Sequence, residues 1–218
     1  MFPTVRLHPT SHVGGTSPFG GSELNAVSDE DLLIAVQAGD TDSLSVLVSR
    51  WERPLYRFVY RLLLRREDAR DVCQETFLRI LRKADRFERG SRFSTWMYQI
   101  ALNLCRDQIR RRKRWSLVLS DAPPPESVAQ GLALGPDVDD PSRATERREA
   151  SAALLQALDQ IPPEQREVLV LKEFEGLKFR EIAELLRCPE STVKSRMYYG
   201  LNGLRQALTK QGFSGRPA

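Results

Sequence analysis

Between Lys83 and Asn103 the chain reads KADRFERGSRFSTWMYQIALN, in which cations alternate with aromatic rings. Lys83, Arg86, Arg89 and Arg92 are spaced among Phe87, Phe93, Trp96 and Tyr98. That spacing suits single-stranded nucleic acid, because bases stack on rings while guanidinium and ammonium groups hold the backbone. Phe93 and Trp96 carry a second reading, since either ring could instead close a core at a helix start. Ile100 and Asn103 continue the block, and Asn103 is a polar residue on an otherwise apolar face, placed to hydrogen-bond a base edge. Further on, Arg110-Arg111-Arg112-Lys113-Arg114 puts five like charges in succession. A helix C-terminus accounts for about two of them through its dipole. Five repel one another without an anionic partner, so phosphate contact is the expected use.

A second candidate face lies near the C-terminus. Lys194, Ser195, Tyr198, Tyr199 and Asn202 fall on one polar side of a helical pattern, opposite Val193, Met197, Leu201 and Leu204. Such a face can enter a major groove, and Thr192 and Arg196 flank it as candidate phosphate ligands. The competing account is an ordinary solvated helix side. A third cluster, Asp68, Asp71, Gln74 and Glu75 with Arg70 and Arg79, reads as a protein-docking face or a solvated one.

Catalytic chemistry finds no support. There is no G-x-x-x-x-G-K and no G-x-S-x-G, and His8 and His12 in HPTSH lack the Glu and the helix of a zincin. Cys73, Cys105 and Cys188 form no C-x-x-C pair, which excludes a cysteine zinc site or disulfide scaffold and fits a reducing cytoplasm. Neither enzyme, cofactor nor metal is expected.

The elements that must position these residues are helical. Ser28 precedes DEDLLIAVQAG as an N-cap with acidic first-turn residues. Further helices are expected at about 42–64, from Arg66 onward, and from near Ser94 into RRRKR. Val72, Cys73, Thr76, Phe77 and Ile80 make one apolar stripe, and Met97, Ile100, Ala101, Leu104 and Ile109 another. Later helices are expected at about 145–160, 164–173, 179–186 and 191–211. Between the last two, Arg187-Cys188-Pro189-Glu190 makes a short turn with Ser191 or Thr192 available as N-cap, a helix-turn-helix pattern. An αα-hairpin in a bundle is the bland alternative. No alternating β-branched run argues for a strand. The expected fold is all-α: two small helical domains joined by a flexible linker.

Charge draws the same divisions. The net +4 splits into +5 for 22–115, −4 for 116–149 and +2 for 150–218, with Arg6 supplying the remainder. The stretch 116–144 is acidic and Pro-rich, unable to bury a core, and reads as a linker. Residues 1–21 read as a disordered tail, 22–115 and 145–212 as the two domains, and 213–218 as a second tail. No apolar run approaches the ~18 residues of a membrane span, and the N-terminus lacks the apolar core of a signal peptide.

Two blocks together carry a family resemblance. RREDARDVCQETFLRILRKADRFERGSRFSTWMYQIALNLCRDQIRRRKR is followed, after the linker, by LDQIPPEQREVLVLKEFEGLKFREIAELLRCPESTVKSRMYYGLNGLRQAL. Over about 27–115 and 148–210 the chain resembles a bacterial RNA polymerase sigma factor of the extracytoplasmic-function class, which keeps the domains called sigma-2 and sigma-4. The resemblance implies that Asp71, Gln74 and Glu75 contact core polymerase, a β and β′ assembly. It implies that Lys83, Arg86, Phe87, Arg92, Trp96, Ile100, Asn103, Arg110 and Arg111 melt and read the −10 element, capturing a flipped base. Thr192, Lys194, Ser195, Arg196, Tyr198 and Tyr199 would read the duplex −35 element. Other implied properties are a cytoplasmic location, an anti-sigma partner and no further C-terminal domain. Tyr198 and Tyr199 stand where many relatives carry cations, so no −35 sequence transfers. Without the resemblance, a stand-alone helix-turn-helix regulator of duplex operators is the alternative, and the aromatic–basic block is what such a regulator does not need.

Overall fold

The structure is a computed structural model that describes residues 26–88, 90–118 and 141–213. Among these there are eight α-helices and no strand. Four belong to the first bundle: α1 (Asp29–Gln37), α2 (Thr41–Leu63), α3 (Arg66–Arg82) and α4 (Phe93–Val118). Four build the second: α5 (Pro141–Asp159), α6 (Pro163–Leu169), α7 (Phe179–Leu186) and α8 (Glu190–Lys210). The expected all-α architecture is what is found. Helices α4 and α5 run into both ends of the expected linker, making 116–118 and 141–144 helical. The rest of that linker, 119–140, and the expected tail at 1–21 lie outside the described residues.

Local chemistry sets the helix ends. The Ser28 hydroxyl accepts from the Asp31 N–H at 3.1 Å, and Asp29, Glu30 and Asp31 supply anions to the first turn of α1. Gly39 turns the chain with φ 95°, and the Asp40 carboxylate then accepts from the N–H groups of Asp42 and Ser43 to open α2. Pro163 opens α6, where its missing N–H costs nothing. The entry to α8 differs from expectation. Pro189 is the N-cap and no side chain caps the end, so Ser191 and Thr192 lie inside the first turn.

The stripes bury as their periods require. Ala69, Val72, Cys73, Thr76 and Ile80 of α3 pack against the core face of α4, where Phe93, Met97, Ala101 and Leu102 are buried. In the second bundle α8 crosses α6, α7 and α5. Its buried stripe is Val193, Met197, Gly200 and Ala207. Leu201, expected in that stripe, is 43% exposed, and Gly200 takes its place against α6. Helix α6 widens into a π-helical turn at Val170–Phe174, which carries the chain toward α7.

Candidate nucleic-acid interface

Three surfaces emerge, each set by one helix. On α3, Asp71 and Gln74 are exposed, while Glu75 is half-buried and bonded to Arg79 at 2.9 Å. The same stripe carries Leu78 and Leu81, 39% and 48% exposed, which sequence reasoning passed over. Their signal was present: two leucines three residues apart on the polar side of an amphipathic helix have no core to enter. Exposed leucines among polar groups are the composition expected of a face that another protein covers.

The second surface follows α3. Lys83, just before the short 3₁₀ turn Ala84–Arg86, and Arg86 within it stand exposed. This turn is tied to α1, where the Gln37 amide donates to the Ala84 carbonyl at 2.6 Å. Phe87, read from sequence as part of the base pocket, is buried and meets Trp96 edge-on with centroids 5.4 Å apart. Phe93 and Tyr98 are buried too, grouped with Trp51 at 5.9 and 6.0 Å. The core thus claims three of the four interleaved rings, and Trp96 alone remains half-open. Its helix begins under outside control: Glu30 of α1 accepts from the Phe93 N–H at 2.8 Å, a cap supplied from another helix.

Along α4 the open face is Trp96, Ile100, Asn103, Asp107 and Arg110, one stripe at i+3 and i+4 steps. From Trp96 to Arg110 it runs about 21 Å at 1.5 Å per residue. A half-open indole, a half-open Ile side chain and an exposed amide therefore lead into cations. The basic run splits in function. Arg112 turns inward to Asp68 (3.7 Å) and the Leu63 carbonyl (3.5 Å), closing the C-terminal end of α2. Arg110 pairs with Asp107, and Arg111 and Arg114 stand exposed.

The third surface is α8. The turn before it is made by Arg187, in the left-handed region at φ 53°, and by the Cys188 N–H donating to the Ala183 carbonyl at 3.1 Å. Lys194 and Ser195 are exposed, with Lys194 held by Glu190 at 2.7 Å. Thr192 and Arg196 are half-buried at the flanks. Tyr198 and Tyr199 are 64% and 59% exposed, their rings edge-to-face at 5.5 Å. Two large rings in water, each steadied by the other, form a rigid amphipathic contact surface.

The cysteines serve packing. Burial pushes the Cys73 thiol up to about 12 and the Cys105 thiol well above its ordinary value, so both stay protonated near neutrality. Among the described residues no cluster of His, Cys, Asp and Glu could hold a metal, and no helix is long and apolar enough to cross a membrane.

The sigma-70 region 2 family matches residues 47–115, and the sigma-70 region 4 family matches 151–202. The RNA polymerase sigma-H factor of Pseudomonas aeruginosa is 31% identical over 192 residues, covering 85% of this chain and 96% of its own. The extracytoplasmic-function sigma factor SigW of Bacillus subtilis is 33% identical, with 79% and 92% covered. Among solved structures, the sigma factor RpoE of Bartonella quintana, in complex with the anti-sigma factor NepR, shares the fold at a TM-score of 0.62 and 23% identity, with 74% and 94% covered. Surfaces on α3, α4 and α8 thus sit inside two family regions in the family's order, and the chain belongs to the sigma-70 family, as an RNA polymerase sigma factor of the extracytoplasmic-function class.

Proposed function

We propose the following division of labour among the three surfaces. The α3 stripe Asp71, Gln74 and Glu75, extended by Leu78 and Leu81, seats on the β′ side of core polymerase. The α4 stripe takes the −10 element as a single strand: Trp96 and Ile100 cover a flipped base, with Phe87 as the wall behind, and Asn103 hydrogen-bonds its edge. Flipping costs a few kcal/mol of unstacking, which such a pocket offsets only for the right base. Lys83, Arg86, Arg92, Arg110 and Arg111 hold phosphates around it. Helix α8 lies in the −35 major groove, with Thr192, Lys194, Ser195 and Arg196 at its entry and Tyr198 and Tyr199 covering thymine methyls or sugar edges. The protein acts where polymerase is, in the cytoplasm, and makes or breaks no bond itself. An anti-sigma factor is the expected antagonist, as in the complex with NepR.

The observation that carries this reading is the asymmetry of α4, where an open ring, an aliphatic side chain and an amide lie on one 21 Å stripe that ends at Arg110, with exposed Arg111 beside it. A duplex-only regulator has no use for it. The test is transcription in vitro with purified core polymerase on a promoter library. Asn103→Ala is expected to slow promoter opening about tenfold, the loss of one base-edge contact, with duplex binding changed less than twofold. Equal losses in both steps would contradict the pocket.

A further inference from the structure

Helix α1 carries none of the side chains assigned to DNA, yet both ends of the segment between α3 and α4 hang on it. It is itself fixed to α2. The Asp29 carboxylate accepts from the Trp51 indole N–H at 2.9 Å and from Arg50 at 2.8 Å, and Arg50 also donates to the Val27 carbonyl at 2.8 Å. Leu32, Leu33 and Val36 are buried beneath it. Glu30, Leu33 and Gln37 share one face at i, i+3 and i+7 spacing. The Gln37 amide donates to the Ala84 carbonyl at 2.6 Å and to the Phe87 carbonyl at 3.4 Å, spanning the 3₁₀ turn. At the other end of that face, Glu30 accepts from the Phe93 N–H at 2.8 Å. One end of the segment calls for a donor and the other for an acceptor, and α1 supplies each across 47 and 63 positions of sequence.

These backbone groups belong to the two sides of the α4 pocket. The buried Phe87 ring meets Trp96 edge-on, so the place of the Phe87 backbone sets the place of that wall. Phe93 is the first residue of α4, and its N–H has no acceptor within the helix. The Glu30 carboxylate takes that N–H and sets an anion at the positive end of the helix dipole. Holding it fixes where α4 begins and how its first turn is rotated, and with that the direction of Trp96, Ile100 and Asn103. Ring contacts alone let rings slide past one another, whereas a hydrogen bond weakens steeply once it bends and so fixes direction. A base-reading contact needs that precision, because its groups must be held to within about 0.5 Å.

We propose that Gln37 and Glu30 are positioning residues for −10 reading: from α1 they hold the Phe87 wall and the Trp96–Asn103 stripe at the spacing that admits one flipped base. The assignment rests on the proposed function and gives α1 a part in base selectivity that it exercises without touching DNA.

Near-isosteric exchanges test it, in holoenzyme assembled from the full chain and purified core polymerase on templates randomised at the −10 and −35 elements. Gln37→Glu keeps the size of the side chain but sets a carboxylate against two carbonyls. The ratio of best to worst base at the flipped −10 position is expected to fall about three- to tenfold, up to the worth of one base-edge contact, with −35 preferences unchanged. Glu30→Ala is expected to do the same. Glu30→Gln, whose amide oxygen still accepts from the Phe93 N–H, restores the ratio. Such a ratio is taken within one enzyme sample, so a variant that merely folds less well lowers total transcription and leaves the ratio alone. If Gln37→Glu fails to fold by circular dichroism, Gln37→Ala removes the donor without adding charge and is read in the same way. Unaltered −10 selectivity in the Gln37 and Glu30→Ala variants, or equal flattening at −10 and −35, overturns the positioning role. Absence of any −10 preference in the unsubstituted holoenzyme overturns the proposed function, and this assignment with it.

Discussion

Gly200 and Gly203 lie one turn apart on α8 and differ in what surrounds them. A Cβ at Gly200 would sit 3.0 Å from Leu169 Cδ1 and 3.1 Å from its Cγ, so the bare backbone is what lets α8 close on α6. At Gly203 the nearest atom is Ile161 Cγ1 at 3.8 Å, ordinary contact. Gly203→Ala should therefore stabilise the chain by about 0.5–1 kcal/mol through helix propensity. Gly200→Ala should destabilise it by about 1–2 kcal/mol, overpacking outweighing the propensity gain. Thermal melting of the two variants, expected to shift in opposite directions, checks the pair. From sequence both glycines read only as weak points in a helix, since propensity is a property of the residue and close approach a property of its neighbour. The same limit governs the aromatics. Residue types at 83–103 announced stacking chemistry, yet Phe93 and Tyr98 are buried against Trp51 and Phe58 of α2, and Phe87 against Trp96.

Helix starts show what an element carries within itself. Asp40 is 8% exposed, and its carboxylate accepts from the Asp42 N–H, the Ser43 N–H and the Ser43 hydroxyl at 2.9, 3.3 and 2.8 Å. Asp40→Ala strands those donors and should cost about 1–2 kcal/mol in urea denaturation, with Asp40→Asn retaining most of the stability. The sequence shows this kind of cap because donor and acceptor are neighbours. It does not show the Glu30 cap on α4, sixty-three residues away, nor the Arg112 closure of α2. Periodicity located every helix of the recognition motif to within a few residues. It misassigned Leu201, because a stripe drawn at i+4 cannot foresee that a glycine one step earlier admits the partner helix more closely.

At the scale of the whole molecule, Glu175 of the second bundle, bonded to Tyr98 of the first, links stability to pH. Burial raises its carboxyl above the ordinary value, outweighing the Tyr98 hydrogen bond and the cations Arg61 and Arg57 of α2, which lower it. On unfolding the group returns to its ordinary value. The folded chain thus binds more protons over the interval above that value, so the stability linked to Glu175 is fully present on the acid side and is lost as pH rises through the raised value. Urea denaturation at a series of pH values should show that fall. Glu175→Gln, neutral at every pH, should lose that dependence; an unaltered slope in the variant would remove Glu175 from the linkage. Sequence alone determined the helices and the two-block order, because periodicity, caps and motif spacing are local and survive in a linear string. The tertiary structure alone decided which rings remain open, which cations are spent on helix ends, and that three glutamates of one bundle face three arginines of the other. Those outcomes depend on contacts between residues up to about a hundred positions apart, where a string records composition but not proximity.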